Sequence, residues 1–153
     1  MKRFIIFALC IAMLCLSACG GKSEKSLDVA AFASAAVEKA DFGDELMAVP
    51  EKMISDYYTL PNGKVSEYAV YVSGTGATAS ELAVFKCSSD AVKDVKAAVE
   101  TRIAEQIASY EGYRPDEKFR LEKALLVTEG DYVVFAVSND NEAIEKLLAS
   151  SMK

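Results

Sequence analysis

The stretch Tyr132-Val133-Val134-Phe135-Ala136-Val137 decides the fold of this chain. Its side chains are apolar throughout, so it predicts a central strand that is buried on both faces. The turn-forming residues Glu129-Gly130-Asp131 come directly before it, and a second apolar run, 124–127, comes before the turn. The two runs and the turn between them predict a β-hairpin.

Two more strands are predicted upstream of this hairpin. In the segments 67–72 and 82–87, side chains alternate with a period of two, which is typical of half-buried strands. The segment 74–80 between them consists mostly of small and polar residues and predicts a loop. The chain therefore has four predicted strands, arranged in two pairs.

Four helices are predicted around these strands. Apolar residues recur at helical spacing in the segments 28–40, 90–110 and 144–152. A short helix is predicted after Pro50, because proline is favourable at the first helical position. The predicted capping residues are Ser26 or Asp28, Ser89 or Asp90, and Asn139 together with Glu142.

The element order ααββαββα predicts an α+β domain. We expect two layers, with a four-stranded, mainly antiparallel sheet that packs the long helix and the C-terminal helix on one face. The two N-terminal helices are expected to close an edge of the sheet or its second face.

The N-terminal segment predicts a lipoprotein signal peptide over residues 1–18. Lys2 and Arg3 precede an unbroken apolar run, which ends in Leu16-Ser17-Ala18-Cys19. This ending resembles the lipobox of bacterial lipoproteins, which implies diacylglyceryl transfer to the Cys19 thiol and cleavage before Cys19. A transmembrane helix is one alternative, but thirteen apolar residues span only about 20 Å of a hydrocarbon core of about 30 Å. A plain secretory signal is the other alternative, and it leaves Cys19 without a role.

Three segments follow from this interpretation. They are the signal peptide 1–18, a lipidated tether 19–26 and a single α+β domain 27–153. The chain has 17 basic and 23 acidic side chains, and loss of Lys2 and Arg3 with the signal peptide leaves a net charge of −8. An acidic domain is a poor partner for nucleic acid or an anionic bilayer, so we expect membrane attachment through the lipid alone.

Histidine is absent from the whole sequence, which removes the usual general base at neutral pH and all histidine-ligated metal sites. We therefore predict no catalytic residue, no metal site, and no cofactor beyond the covalent diacylglycerol on Cys19. Cys87 would be the one cysteine left after maturation and lipidation. Its place in an apolar strand predicts a buried, unreactive packing residue.

Four side chains are candidate contacts for a ligand or partner. Glu81 opens a predicted strand and Arg102 interrupts the apolar side of the long helix. They could form a salt bridge between the sheet and the long helix, or Arg102 could bind a ligand carboxylate through two parallel hydrogen bonds. Tyr113 and Arg114 belong to a tyrosine-rich set near helix ends, which suits either an interaction surface or a core margin; its other members are Tyr57, Tyr58 and Tyr110.

Several segments resemble an uncharacterised family of small lipoproteins, the domain of unknown function 4358, which is common in Gram-positive anaerobes. The likeness covers about residues 44–148 and implies an exported lipoprotein of the cell envelope. It carries over no activity and no site residue. The matching segments are 67–73, 79–86, Arg102, 110–115, Ala124 and 130–132.

These observations predict a lipoprotein anchored on the outer face of the cytoplasmic membrane, in an organism that the resemblance implies is Gram-positive. We expect a non-enzymatic binding or interaction module for an envelope protein or a small ligand. The alternative is a carboxylate-dependent cell-wall hydrolase or another envelope enzyme. A deep pocket with two acids would favour the enzyme, whereas a shallow face would favour the binding module.

Overall fold

The computed structural model describes residues 25–153. The predicted signal peptide, Cys19 and the tether up to residue 24 lie outside the described residues. The elements, in chain order, are α1 Val29–Lys39, β1 Leu46–Ala48, a 3-10 turn Glu51–Met53, α2 Ile54–Tyr57, β2 Val65–Ser73, β3 Glu81–Cys87, α3 Val92–Tyr110, α4 Pro115–Glu122, β4 Leu125–Glu129, β5 Tyr132–Val137 and α5 Asn141–Ser151.

The strands form one sheet of five in the order β1-β2-β3-β5-β4, and every neighbouring pair is antiparallel. The α+β class and the antiparallel pairing are confirmed. All six residues of β5 are buried, as its unbroken apolar sequence predicts. In β3 all residues except Lys86 are buried, so the predicted half-buried strand is wrong there. The alternation in β3 sorts its side chains between two packed faces and not between core and solvent.

Helices cover both faces of the sheet, so the domain has three layers instead of the predicted two. α1 covers the second face, which is one of the two predicted positions of the N-terminal helices, whereas α2 packs on the same face as α3. On one face α1 and α5 pack against Leu82 and Val84 of β3 and their neighbours in β5. On the other face α2, α3 and α4 pack against Ala83 and Phe85 and the alternate residues of β5. The long helix and the C-terminal helix therefore lie on opposite faces, because both faces of the two central strands are apolar and each needs a cover.

Two elements were not predicted. β1 is a three-residue edge strand that pairs with the end of β2, from Leu46 opposite Ser73 to Ala48 opposite Tyr71. α4 begins at Pro115 and has only two buried residues, Glu117 and Leu121. The observed sheet thus has five strands instead of four, and the element order gains a strand and a helix.

The helix caps correct part of the sequence interpretation. Asp28 caps α1, since its Oδ1 accepts a hydrogen bond from the Ala31 amide, as predicted. α5 is capped by Asp140 and not by Asn139; Asp140 Oδ1 accepts from the Ala143 amide. Ala91 precedes α3 without any side-chain cap, so neither Ser89 nor Asp90 has the predicted role.

Among the helices of residues 25–153, none combines the length and the apolar character that crossing a bilayer requires.

Candidate functional site

An open groove lies at the end of the sheet where β3 begins. Its outer lobe, between α2 and α3, has a volume of about 350 Å³. Its inner lobe, between α3 and the loop 74–80, has a volume of about 200 Å³. Tyr57 and Arg102 line both lobes, so these two side chains stand at the centre of the groove.

Glu81 is a buried carboxylate at the base of this groove. It is only 1% exposed, and it is the first residue of β3. Its Oε1 accepts a hydrogen bond of 2.5 Å from the Tyr58 hydroxyl. Its Oε2 accepts from Arg102 Nη2 at 3.0 Å and from Gln106 Nε2 at 2.6 Å. A buried carboxylate needs such a set of donors, because an uncompensated charge in the interior is very costly.

The Tyr58 hydroxyl serves as a permanent donor in this cluster. Burial raises the pKa of Tyr58 well above its usual value of 10.0, and the negative charge of Glu81 raises it further. The phenol therefore stays protonated at neutral pH. The ring also packs edge-on against Phe85, with centroids 5.1 Å apart, which fixes its position.

Arg102 uses only one edge of its guanidinium for Glu81. Nε and Nη2 donate to Glu81 Oε2 at 3.3 and 3.0 Å, and the guanidinium carbon lies 5.0 Å from the centroid of the Tyr57 ring. Nη1 makes no hydrogen bond to any residue in 25–153, and it is not among the fully buried polar atoms that lack partners. The end-on edge of the guanidinium, formed by Nη1 and Nη2, therefore faces the groove and solvent.

Gln106 lies one helical turn after Arg102 on the same face of α3. It is 8% exposed, and its Nε2 is committed to Glu81. Its Oε1 is buried and accepts no hydrogen bond from the described residues. Buried amide oxygens are almost always paired, so this unpartnered oxygen is unusual, and it belongs to a residue that lines the inner lobe.

The far wall of the inner lobe is a loop held by one aspartate. Asp44 Oδ2 accepts hydrogen bonds from the hydroxyls of Ser73, Thr75 and Thr78, at 2.5, 2.6 and 3.0 Å. These hydroxyls lower the pKa of Asp44 from its ordinary value of 3.8 to about 2, with the Ser73 hydroxyl contributing most. The loop is thus ordered around a charged carboxylate at every physiological pH.

A second buried carboxylate supports the loop from behind. Glu117 of α4 is 3% exposed, and its Oε2 accepts from the Ala79 amide at 2.8 Å and from Arg120 Nη1 at 2.8 Å. Arg120 in turn donates to the Phe42 carbonyl at 2.8 Å. α4 therefore ties the loop 74–80 to the segment that follows α1.

The four predicted contact residues fall in three places. Glu81 and Arg102 come together in the groove. Arg114 lies behind the loop, where it donates to the Ala77 carbonyl at 3.0 Å and pairs with Asp116 and Glu117. Tyr113 is 77% exposed and belongs to neither lobe.

Three further residues of the site were not predicted: Gln106, Asp44 and Glu117. Gln106 carried a usable signal, since it follows Arg102 by four positions on the predicted long helix. The hydroxyl partners of Asp44 are distant in sequence, so no local pattern indicated its role. Tyr57, Tyr58 and Tyr110 of the tyrosine-rich set all line the groove.

The two acidic residues that α3 contributes to the outer lobe are spaced too widely along the helix for a hydrolytic pair. Asp94 and Glu105 line the outer lobe eleven positions apart, which corresponds to about 16 Å of helix rise. The carboxylates of glycoside hydrolases lie about 5 to 9.5 Å apart. Within residues 25–153, no group of three or more His, Cys, Asp or Glu side chains is placed to hold a metal ion.

No curated protein and no solved structure matches the chain. The family model described as a domain of unknown function, DUF4358, matches residues 38–138, which include β1 to β5 and the whole lining of the groove. This match spans well over half of the 153 residues, so the chain belongs to the DUF4358 family.

Proposed function

We propose that this protein is a lipid-anchored, extracytoplasmic binding module that takes a ligand into the groove around Arg102. The observation that carries the proposal is the arrangement of that guanidinium. One edge is fixed on the buried Glu81, and the other edge faces the groove without a partner in the described residues. A cation that is already held in place loses little conformational freedom when it binds a ligand, which favours affinity.

The groove has the residue types of a binding site. Tyr57 flanks Arg102, and the hydroxyls of Ser109 and Thr78 line the inner lobe. Tyrosine and arginine are enriched where binding energy is concentrated. The chain contains no histidine, and a binding role needs no general base.

The position of the groove suits a protein held at Cys19. Ser26 exchanges backbone hydrogen bonds of 2.9 and 3.0 Å with Lys153, and the Leu27 amide donates to the Tyr132 hydroxyl at 3.1 Å. Tyr132 pairs with Lys86 at one end of the β3–β5 ladder, whereas Glu81 pairs with Val137 at the other end. The tether would thus join the domain at the end of the β3–β5 ladder that is opposite to Glu81; the ladder is five residue steps, or about 17 Å, long.

The proposal is tested by adding a low-molecular-weight extract of the host cell envelope to the full-length protein in detergent. We expect the extract to shift the side-chain NMR signals of Arg102 and Gln106 and to leave α1 unchanged. The variant Arg102→Gln should lose the response, whereas Glu38→Gln, on the opposite face of the sheet, should keep it. Shifts that Arg102→Gln leaves intact would contradict a site at Arg102.

A further inference from the structure

We propose that the groove recognises a ligand that carries both a carboxylate and, several ångströms away, an ammonium group, as in a basic amino acid or the end of a peptide. This inference rests on the proposed function and specifies the chemistry of its ligand. Three independent features of the groove point to it: one cation with a vacant edge, uncompensated acids, and a buried acceptor without a donor.

The edge of the Arg102 guanidinium formed by Nη1 and Nη2 is suited to bind an anion. Nη1 and the second hydrogen of Nη2 form a fork that matches the two oxygens of a carboxylate. Glu81 cannot use this fork, because its Oε2 already lies against Nε and Nη2 on the other edge. A ligand carboxylate would therefore add to the Glu81 contact without displacing it.

The acidic rim of the outer lobe is suited to bind a cation. Asp56, Asp94 and Glu105 line this lobe and are all exposed. None of them has an ion-pair partner within residues 25–153. Since Arg102 is neutralised by Glu81, the lobe carries a net negative charge that would repel a simple anion.

These two features favour a ligand that carries both charges. The three acids would repel a simple carboxylate, and a simple amine would leave the fork of Arg102 without a partner. A molecule with both groups satisfies each side, provided that its charges are suitably spaced. Along α3, Glu105 lies about 4.5 Å and Asp94 about 12 Å from Arg102 in helix rise, so an intermediate spacing fits.

The third feature is the unpartnered Oε1 of Gln106. Gln106 is 8% exposed, and this oxygen accepts no hydrogen bond from the described residues. It belongs to the inner lobe next to Arg102. An N–H group beside the ligand carboxylate, such as the α-nitrogen of an amino acid or of the last residue of a peptide, would supply the donor that the site needs after a small side-chain adjustment.

Four probes separate these contributions in calorimetric titrations of the full-length protein in detergent. Nα-acetyl-L-lysine has the carboxylate, the adjacent N–H and an ammonium roughly 7 Å away, judged from standard bond lengths. Nα-acetyl-L-norleucine lacks the ammonium, Nα-acetyl-L-lysine amide lacks the carboxylate, and 6-aminohexanoate lacks the N–H. We expect Nα-acetyl-L-lysine to bind about tenfold more tightly than each of the others, because each lost contact involves a charged or buried group.

Matched variants assign each contribution to its residue. Arg102→Lys keeps the charge beside Glu81 but loses the fork. We expect this variant to bind Nα-acetyl-L-lysine only as tightly as the unchanged protein binds the amide probe. The triple variant Asp56→Asn, Asp94→Asn and Glu105→Gln should bind Nα-acetyl-L-lysine no more tightly than the norleucine probe. Glu38→Gln on α1 should bind all probes as the unchanged protein does. Free L-lysine separates the two sources: binding as tight as the acetylated probe indicates an amino acid, and weaker binding indicates a peptide end.

The contrary results are distinct. If the norleucine probe binds as tightly as Nα-acetyl-L-lysine and Arg102→Lys abolishes both, the ligand is a simple anion; this inference is then overturned and the proposed function stands. If no probe binds, this inference is likewise overturned. The proposed function falls only if, in addition, the envelope extract gives no shift that depends on Arg102.

Discussion

At the scale of single residues, the groove depends on a carboxylate placed where the sheet is fully buried. Glu81 has Leu82 after it and Val137 opposite it, both completely buried. A glutamate is tolerated there because Tyr58, Arg102 and Gln106 together supply its donors. Replacing a buried ion pair by apolar groups is often neutral or stabilising, so such a pair is weak evidence for a stability role alone.

The buried pair should behave differently from a surface pair in a double-mutant cycle. Glu81→Ala should lower the free energy of unfolding by about 3 to 5 kcal/mol, because it leaves the Arg102 charge and two further donors without an acceptor. In the Glu81→Ala variant, the further substitution Arg102→Ala should lower the free energy of unfolding far less than it does in the unchanged protein. Urea unfolding of the single and double variants measures the coupling.

The control for this cycle is Glu142 with Lys146 on α5, whose side chains are 76% and 74% exposed. Their coupling should be close to zero, since solvent screens exposed pairs. Equal coupling energies for the two pairs would show that burial of Glu81 is energetically unimportant.

Cys87 should react slowly with thiol reagents in the folded protein. It is 3% exposed, and its Sγ donates to the Asp131 carbonyl at 3.3 Å. Burial raises the pKa of the thiol, and the nearby charge of Asp131 raises it further, so the reactive thiolate is scarce. Mass spectrometry of the Cys87 peptide should show little labelling until urea is added. Cys87→Ala should lower the free energy of unfolding by about 1 kcal/mol. Fast native labelling would identify Cys87 as a reactive site.

Part of the site was predictable because some residues break their local pattern. Glu81 is charged at the start of an apolar strand, and Arg102 is charged on the apolar side of a helix, so both stood out in the sequence. Tyr58 and Asp44 fit their local surroundings, and their partners are 23 and 29 or more positions away. Contacts over such distances follow from the topology, which local periodicity does not encode.

At the scale of elements, the order of the loop 74–80 depends on the charge of Asp44. Its hydroxyls stabilise the charged form of Asp44 and lower its pKa from 3.8 to about 2. Because the pKa is lowered, the stability that these hydrogen bonds give to the folded loop is fully present above pH 3.8. It is lost as the pH falls through about 2.

This pH dependence can be measured by NMR of the loop amides. The signals of Ser73, Thr75 and Thr78 should move together with a midpoint near pH 2, while those of Val134 and Phe135, in the buried centre of β5, stay constant. Asp44→Asn should abolish the transition, since it removes the titrating group. A midpoint near 3.8 would mean that the hydroxyls do not hold Asp44 in solution.

The two unpredicted elements lacked the patterns on which sequence interpretation depends. β1 has only three residues, too few for a period of two to be visible, and it is ordered by pairing with β2. α4 is strongly polar, and one of its two buried residues is Glu117, which local hydropathy assigns to the surface. Pro115, the first residue of α4, was interpreted only as the end of the long-helix region, although proline is also favourable at the first position of a helix.

At the scale of the whole molecule, the main difference from the prediction is that α5 lies on the opposite face of the sheet from α3. The apolar stripes of α1, α3 and α5 each require a partner face, but a stripe does not specify which face of the sheet it covers. The decisive sign was the apolar character of β3 and β5 on both faces, which was interpreted correctly only for β5. Two adjacent strands buried on both sides require helices on both sides.

The proposed anchor can be tested independently of the groove. Cys19→Ala should accumulate as uncleaved precursor or leave the membrane fraction of the host, because the lipid is the expected attachment of an acidic domain. Membrane fractionation and intact mass measure both effects. Normal maturation and normal membrane association of the variant would contradict lipid anchoring.

The most direct test of the central claim is photo-crosslinking from the groove in intact cells. A photoreactive amino acid replaces Ser109, which is exposed and lines the inner lobe, and in a matched strain it replaces the exposed Glu38 on α1. We predict a defined adduct from position 109 that disappears with Arg102→Gln and is absent from position 38. Equal adducts from both positions, or an adduct at 109 that persists without Arg102, would contradict a binding site at Arg102.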